Sequence, residues 1–245
     1  SQWDRIMKRA ERMWDVSRGP FVESELKSPI SLMKRLSFVR DMKIIAPWKT
    51  LRQHADEILK DQRLRFIMDR YATYSGSDPR KAPAVLSTIA FVEESFGAWH
   101  VKGGLGQLTA TVYQRALDVG VKFHLDSPVS AINTAGKKVT GVTLSDGTVV
   151  EADAVVANAD ASLVYNKLIT GNKRELKKAR KNIEKADVSV AGFSLLLGMR
   201  KDPDQVLNHH TILFPENYDA EFDAIFTDGK PVEKPTIYIC APQDP

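Results

Sequence analysis

Cysteine is nearly absent from this sequence, since Cys240 is the only one in 245 residues. A single cysteine excludes an internal disulfide framework and any multi-cysteine metal site, and it fits a reducing compartment. Long apolar runs are absent too, because no stretch reaches the ~18 residues that a membrane span needs. The charged opening over residues 1–5 is unlike a signal peptide. We therefore expect any membrane contact to be peripheral.

The composition is that of an ordinary soluble globular protein, with 43% hydrophobic and 27% charged residues. The net charge of +4 permits contact with an anionic surface but does not identify one. A basic stretch over residues 173–185 suggests nucleic acid first and a membrane surface second. No aromatic stacking residues are interleaved with its charges, so we prefer a solvated helical face and expect no nucleic-acid partner.

The sequence contains a glycine pair, Gly103 and Gly104, which we call the glycine corner. Aromatic and β-branched residues precede the corner and helical spacing follows it, which predicts a strand, a tight turn and a helix. Glycines tolerate positive φ and close approach of a ligand, while the new helix offers unpaired N–H groups. From the residues alone we prefer a plain connecting turn, because a single glycine corner is weak evidence of a ligand site.

Before the corner, residues 1–98 predict helices. The first one has an apolar stripe at helical spacing, formed by Trp3, Ile6, Met7, Ala10, Met13 and Trp14. Such a stripe either packs as core, which we prefer, or lies on a bilayer surface. Ser28 and Pro29 predict another helix start, and further helical patterns cover residues 50–74 and 83–94.

After the corner, the apolar period changes to two. Strands are predicted over residues 121–125, 129–132, 139–144, 148–152, 154–157, 188–197 and 237–240. An Asp-Gly pair at 146–147 predicts a hairpin within a meander. Cys240 ends the last strand, where we expect a buried, unreactive thiol. Asn158–Asp160 follow the 154–157 strand, a position where open α/β sheets form a ligand crevice.

Several of these motifs together resemble a known family. They are the glycine corner, the run Val155–Asp160, His209-His210-Thr211 with Phe214, and the later Tyr238 and Ala241-Pro242. Their order resembles the phytoene desaturase (carotenoid desaturase, phytoene dehydrogenase) family of FAD-dependent oxidoreductases, relatives of the flavin amine oxidases. The likeness spans nearly the whole chain.

The resemblance implies a mixed α+β (α/β) fold, namely an internal fragment of a flavin amine-oxidase-like, glutathione-reductase-like FAD fold. The N-terminal dinucleotide-binding βαβ unit of that fold is absent from the sequence. Three segments are implied: a helical substrate and membrane-facing region over 1–98, a flavin-facing region over 99–187, and a β-rich return over 188–245. Because the first phosphate-cradling turn is missing, we expect this chain alone to be inactive and free of flavin.

The resemblance also implies site residues. The cofactor-binding set is Gly103, Gly104, Val129, Asn158, Ala159 and Asp160, and the substrate-binding set is Trp99, His209 and His210. Asp160 capping a helix is an equally good explanation of that residue.

Asp41, within Arg40-Asp41-Met42, matches an acid that is proposed in the family to assist hydride transfer. The family's partner arginine is replaced by Ile44, so Arg40 or Lys43 would have to stand in for it. A solvated helix residue is the alternative explanation of Asp41.

No metal is expected. Two adjacent histidines on a strand face opposite ways, and no Asp, Glu or Cys follows His209 and His210 at ligand spacing within that segment.

The implied function is FAD-dependent desaturation of a long apolar polyene such as phytoene, in carotenoid biosynthesis. Removing hydride and a proton from adjacent carbons needs an electron-accepting cofactor. The substrate implies a cytoplasmic protein attached peripherally to a membrane, and the oligomeric state stays open. The alternatives are a non-catalytic lipid-binding or membrane-docking module, a related amine or retinoid oxidase, and a carotenoid isomerase.

Overall fold

The computed structural model describes residues 1–25, 33, 37–169, 174–186, 192–198, 200 and 208–242. The chain divides into two compact units, which we describe separately. The first contains residues 1–107 and 189–245, and the second contains residues 108–188. The predicted helix start at Ser28 and Pro29 lies outside the described residues. The predicted division into three segments by role stays a prediction.

The first unit is built on helices. Before the glycine corner they are α1 (Gln2–Ser17), α2 (Phe38–Ile45), α3 (Leu51–Ile58), α4 (Gln62–Thr73) and α5 (Ser87–Phe96). A short helix at Asp219–Asp223, continued by a π-helical turn at Ala224–Asp228, lies later in the same unit. A π-helical turn at Arg18–Val22 extends α1, and a 3₁₀ turn at Ala84–Leu86 precedes α5. The prediction of a helical region is confirmed, although the pattern over residues 50–74 forms two helices instead of one.

Local side chains explain where α1 and α3 begin. The Ser1 hydroxyl accepts a hydrogen bond from the Asp4 N–H. Thr50 and Gln53 form a reciprocal capping box at the start of α3. Each cap satisfies N–H groups that a helix start leaves unpaired and contributes about 1 kcal/mol.

The core of the first unit lies between α1, α3, α4 and α5. Its buried members are Ile6, Met7, Leu51, Ala55, Leu59, Met68, Ala72, Ala82 and Ala90. Four residues of the predicted stripe are buried: Ile6, Met7, Ala10 and Met13. This confirms the preferred interpretation of α1 as a core helix. Each fully buried Leu, Ile or Met side chain contributes roughly 1.5–3 kcal/mol.

An ion-pair network joins three segments of this unit. Arg52 on α3 donates to Asp69 on α4 at 2.8 Å and to Asp219 at 2.6 Å. Burial by itself would lower the pKa of Arg52, but the bonds to Asp219 and Asp69 outweigh it and raise that pKa. Burial raises the pKa of Asp69 to about 6 despite its bond to Arg52. The Asp69 Oδ1 atom is buried without a hydrogen-bond partner among the described residues.

A two-stranded ribbon completes the first unit. Strand β4 (His210–Leu213) pairs antiparallel with β5 (Ile237–Cys240), so that His210 lies opposite Cys240 and Leu213 opposite Ile237. The strand predicted at 237–240 is therefore confirmed, but Cys240 is exposed, contrary to expectation. The other residues of β5 are exposed as well, so this strand is not buried among the described residues.

The second unit contains a three-stranded meander. Its elements are α6 (Leu105–Asp118), which begins in the first unit, the strands β1 (Val129–Ala135), β2 (Lys138–Leu144) and β3 (Val149–Glu151), the short α7 (Ala161–Leu163) and α8 (Arg174–Lys185). The strand order is β1-β2-β3, all antiparallel. The predicted meander and its turn are confirmed.

Gly141 allows β3 to approach β2 closely. Its φ is +143°, and an added Cβ would lie 2.1 Å from the Val150 carbonyl oxygen. Only glycine fits such an approach.

Three predicted strands are wrong over the described residues. No regular strand forms over 99–101, 121–125 or 154–157, and Val156 is 96% exposed. A β-strand needs a neighbour to receive its backbone hydrogen bonds, and no described strand pairs with these segments. Residues 188–191 of another predicted strand lie outside the description, and residues 192–198 have no regular structure.

The predicted basic stretch forms α8, with Leu176 buried and Lys177, Lys178 and Lys181 exposed. Arg180 donates to the carbonyl oxygens of Tyr165 and Ile169, which ties α8 to the turn after α7. Among the described residues, no helix combines the length and apolar character needed to cross a bilayer.

Candidate functional site

A row of imidazole and phenol rings lies along the ribbon of the first unit. We call it the histidine row, defined as His100, His209, His210 and Tyr238. The ring centroids of His100 and His209 are 5.4 Å apart, those of His209 and His210 are 4.4 Å apart, and His210 stacks on Tyr238 at 5.6 Å. The Tyr238 hydroxyl is 2.6 Å from His210 Nδ1.

Strand register explains how the row forms. His210 and Tyr238 lie on neighbouring strands two residues out of register, since Tyr238 pairs with Ile212. Residues opposite or diagonal across an antiparallel pair share one face, so both rings emerge together. His209 precedes the first strand residue, which frees it from the alternation that we expected to separate the two histidines.

A partly buried cation lies at one end of the row. The guanidinium of Arg70 lies 5.2 Å from the Tyr238 ring centroid and 5.8 Å from that of Tyr74. Its Nε atom is buried with no hydrogen-bond partner among the described residues. Burial is the main cause that raises the pKa of Tyr238. The tyrosine therefore stays a neutral hydrogen-bonding group at physiological pH.

The glycine corner forms the predicted turn and helix start. Gly103 and Gly104 have φ of +80° and +83°, and the Gly104 N–H donates to the Val101 carbonyl at 2.8 Å. A Cβ on Gly103 would lie 2.9 Å from Gln107 Cγ, whereas Gly104 has nothing within 4 Å. The backbone at Gly104 is therefore open to a ligand, as a cofactor-binding corner requires.

Trp99 is 89% exposed, and its Nε1 donates to the Phe96 carbonyl at 3.1 Å. This indole has no ring contact with the histidine row, which its neighbour His100 joins instead. Its predicted substrate role stays a prediction.

Asp41 is held within the first turn of α2. The Ser37 hydroxyl donates to Oδ2 at 2.5 Å, and Arg40 donates to Oδ1 at 3.2 Å. Its side chain is 18% exposed. Arg40, one of the two residues that would stand in for the family's arginine, thus forms an ion pair with Asp41. The predicted catalytic role of Asp41 and of its partner stays a prediction.

Three cofactor-binding predictions concern the loop before α7 in the second unit. Asn158, Ala159 and Asp160 are exposed. The Asp160 carboxylate accepts the Ser162 N–H at 2.8 Å and also the Ser162 hydroxyl, and these bonds lower its pKa. Asp160 thus caps α7, and Asn158 and Ala159 take no part in this cap.

Val129 opens β1 of the same unit and is 37% exposed beside an irregularity in register between Val129 and Ala131. At this irregularity the Ser130 hydroxyl donates to the carbonyl oxygens of Thr143 and Leu144 on the neighbouring strand. Its predicted contact with the cofactor stays a prediction.

An apolar groove of about 400 Å³ also lies in the second unit. It is lined by Leu108, Thr109, Val112, Tyr113, Ala116 and Phe123. None of the site residues predicted from the sequence lines this groove.

Of the predicted residues, the structure brings His209 and His210 together within the first unit. Sequence reasoning missed Tyr238, Arg70 and Cys240 as their neighbours. The alternation of Ile237-Tyr238-Ile239-Cys240 was the available signal, because it puts Tyr238 and Cys240 on one face. The alternation did not reveal that this strand pairs with the strand that begins at His210.

Comparison with known proteins decides the family. A sequence profile described as "Flavin containing amine oxidoreductase" matches residues 2–202. The chain belongs to this flavin amine oxidoreductase family. The expected flavin cofactor is thereby confirmed for the family, and so is the resemblance found in the sequence.

Curated members of the family include several carotenoid enzymes. The "zeta-carotene-forming phytoene desaturase" of Myxococcus xanthus is 38% identical over 193 residues, covering 78% of this chain and 36% of that protein. The "1-hydroxycarotenoid 3,4-desaturase" of Flavobacterium sp. (strain P99-3) is 31% identical, covering 96% of this chain and 47% of that protein. The "4,4'-diapolycopene oxygenase" of Methylomonas sp is 27% identical, covering 99% of this chain and 48% of that protein. The chain therefore spans about half or less of the length of these relatives.

Proposed function

We propose that this chain is part of an FAD-dependent carotenoid desaturase acting on a long apolar polyene such as phytoene. The observation that carries the proposal is the likeness to curated carotenoid desaturases, which extends over 78% and 96% of the chain. Because the chain spans only 36–47% of those proteins, we further propose that sequence outside it supplies the dinucleotide-binding unit.

FAD, when bound, supplies the two-electron acceptor that takes hydride from the substrate, while a proton leaves the adjacent carbon. The residues of this chain that suit the cofactor are the glycine corner, with an open backbone at Gly104, and the exposed Asn158–Ala159 loop. Backbone N–H groups at the start of α6 are suitable donors to an electron-rich ligand atom.

The other predicted residues serve the substrate in this proposal. The imidazoles of His209 and His210 and the indole of Trp99 present flat, largely apolar faces to a polyene. Asp41, fixed by Ser37 and Arg40, supplies a positioned carboxylate for managing charge or protons near the reacting carbons.

A second candidate, carotenoid oxygenation, is favoured by one observation. The relative that covers 99% of the chain is described as an oxygenase. Product analysis distinguishes the two, because desaturation adds a double bond whereas oxygenation adds oxygen.

We also propose a cytoplasmic location with peripheral attachment to membrane. In its support, the first unit exposes large apolar side chains, including Val22 at 64%, Val39 at 68% and Trp48 at 64%. Flotation of the full-length protein with liposomes tests this, and failure to bind them would contradict it.

A matched pair of glycine variants tests the cofactor role. Gly104 and Gly147 both have positive φ, +83° and +89°, and neither has an atom within 4 Å of an added Cβ. Alanine at either position therefore introduces a similar strain of about 1–2 kcal/mol. In the full-length protein, we expect Gly104→Ala to lower the FAD-to-protein ratio and Gly147→Ala to leave it near wild type.

Equal flavin content in both variants would exclude a cofactor role for the corner. A full-length wild-type protein without flavin would overturn the proposed function itself and favour the lipid-binding alternative.

A further inference from the structure

The histidine row and Cys240 together place three metal-ligating groups at one end of the ribbon. One ring nitrogen each from His209 and His210, and the Cys240 sulfur, all lie within 4.8 Å of one another. No other group of three His, Cys, Asp or Glu meets this criterion in the part of the chain that the structure describes.

We propose that His209, His210 and Cys240 form a zinc-binding site, with water in the fourth position. This goes beyond the flavin chemistry proposed above and does not depend on it, since a metal would use the ring nitrogens of His209 and His210 whereas the polyene contact proposed above uses their ring faces. It also replaces our expectation of no metal, which considered ligand spacing only within the segment that contains the two histidines.

The backbone holds the three residues in place. His210 and Cys240 are direct partners in the antiparallel ladder, where side chains on one face have Cβ atoms about 4.5–5.5 Å apart. The Ala241 N–H donates to the His209 carbonyl at 2.9 Å, which continues the pairing past the strand end. Strand register therefore positions His210 and Cys240, and the hydrogen bond from Ala241 holds the backbone of His209 beside them.

The spacing suits a tetrahedral ion. Zinc binds histidine nitrogen at about 2.0–2.1 Å and thiolate sulfur at about 2.3 Å, which places two ligand atoms roughly 3.3–3.6 Å apart. The observed limit of 4.8 Å is within about 1.5 Å of that range, a shift that side-chain rotation can supply. Two imidazoles and a thiolate form a borderline-soft set that favours Zn²⁺ over Mg²⁺ or Ca²⁺.

Tyr238 supports one of the ligands. Metal-bound histidines usually donate their second ring N–H to a fixed acceptor, which sets the tautomer. His210 Nδ1 is 2.6 Å from the Tyr238 hydroxyl oxygen. When Nδ1–H donates to that oxygen, Nε2 retains the lone pair that a metal needs.

The test titrates ZnCl₂ into the metal-free 245-residue chain by calorimetry, with Co²⁺ as a spectroscopic probe of thiolate ligation. We expect one equivalent of Zn²⁺ with a Kd of about 1 μM or tighter. Cys240→Ser, His209→Ala and His210→Ala should each weaken binding roughly 100-fold or more, and Tyr238→Phe about 10-fold. The matched control is His124→Ala, because His124 is an exposed histidine of the second unit.

Alkylation supplies a second measurement. The chain has a single cysteine, so iodoacetamide reports on Cys240 alone. Zn²⁺ should slow alkylation of the wild type and of His124→Ala, but not of His209→Ala. Zinc binding that survives Cys240→Ser, or an alkylation rate that Zn²⁺ leaves unchanged, would overturn the proposal.

Discussion

Protonation of His54 should destabilise the first unit at acidic pH. His54 is 3% exposed, and its Nε2 is buried without a hydrogen-bond partner among the described residues. Burial, with the nearby charges of Arg9 and Lys49, lowers its pKa from 6.5 to about 4, against a smaller opposing effect of Glu57. The unfolded chain therefore binds this proton more tightly than the folded chain does.

The sign and size of the effect follow from linkage. The free energy of unfolding that depends on a neutral His54 is fully present above pH 6.5 and is lost as the pH falls toward 4. Protonating His54 in full therefore costs the folded state about 3 kcal/mol, of which about 2 kcal/mol is lost by pH 5.

Asp69 acts in the opposite direction over part of this range. Its pKa is raised from 3.8 to about 6, so acidification from pH 7.5 to pH 5 stabilises the folded state by roughly 1 kcal/mol at this residue. The wild-type pH profile alone would therefore conceal the His54 effect. The comparison of wild type with His54→Gln removes the Asp69 contribution, which both proteins share.

The assay is urea unfolding followed by tryptophan fluorescence. All four tryptophans lie in the first unit, at positions 3, 14, 48 and 99. Between pH 7.5 and pH 5, wild type should lose about 2 kcal/mol relative to His54→Gln. His124→Gln should behave like wild type. Identical pH dependence in wild type and His54→Gln would refute the reasoning.

Two further substitutions test the two units, Arg52→Met in the first and Gly141→Ala in the second. Arg52→Met should cost about 3–5 kcal/mol in urea unfolding, because the buried Asp69 carboxylate loses its partner. Arg63→Met should have little effect, since that side chain is 88% exposed, and equal losses in both variants would contradict this account. Gly141→Ala should abolish slow amide exchange in β2 and β3, because its Cβ would lie 2.1 Å from a carbonyl oxygen; unchanged protection would show that the strands can separate.

The helical half of the fold was predictable because its signals are local. The stripe Ile6, Met7, Ala10 and Met13 repeats at helical spacing, and Thr50 marks a helix start within a few residues. The meander was similarly accessible, since its strands are adjacent in sequence and joined by short turns.

The remaining features depend on contacts between distant segments. Arg52 and Asp219 are 167 positions apart, and no periodicity predicts their bond. The apolar run at residues 154–157 was predicted to be a buried strand, but this requires neighbouring strands that the described residues do not supply. Apolar β-branched sequence is therefore insufficient without a pairing partner.

The candidate site shows the same limit. The positive φ of Gly103 and Gly104 was predictable, since glycine is the residue that adopts it readily. The placement of Cys240 beside His210 was not, because register across β4 and β5 joins residues that the sequence separates.

The central claim is that this chain belongs to a protein that transfers hydride from a polyene to FAD. The most direct measurement is the absorbance of the flavin in the full-length protein when phytoene in liposomes is added without oxygen. The account predicts bleaching of the oxidised-flavin bands together with a product that has lost two hydrogens per flavin reduced. A flavin that stays oxidised while phytoene and related polyenes remain unchanged would contradict it.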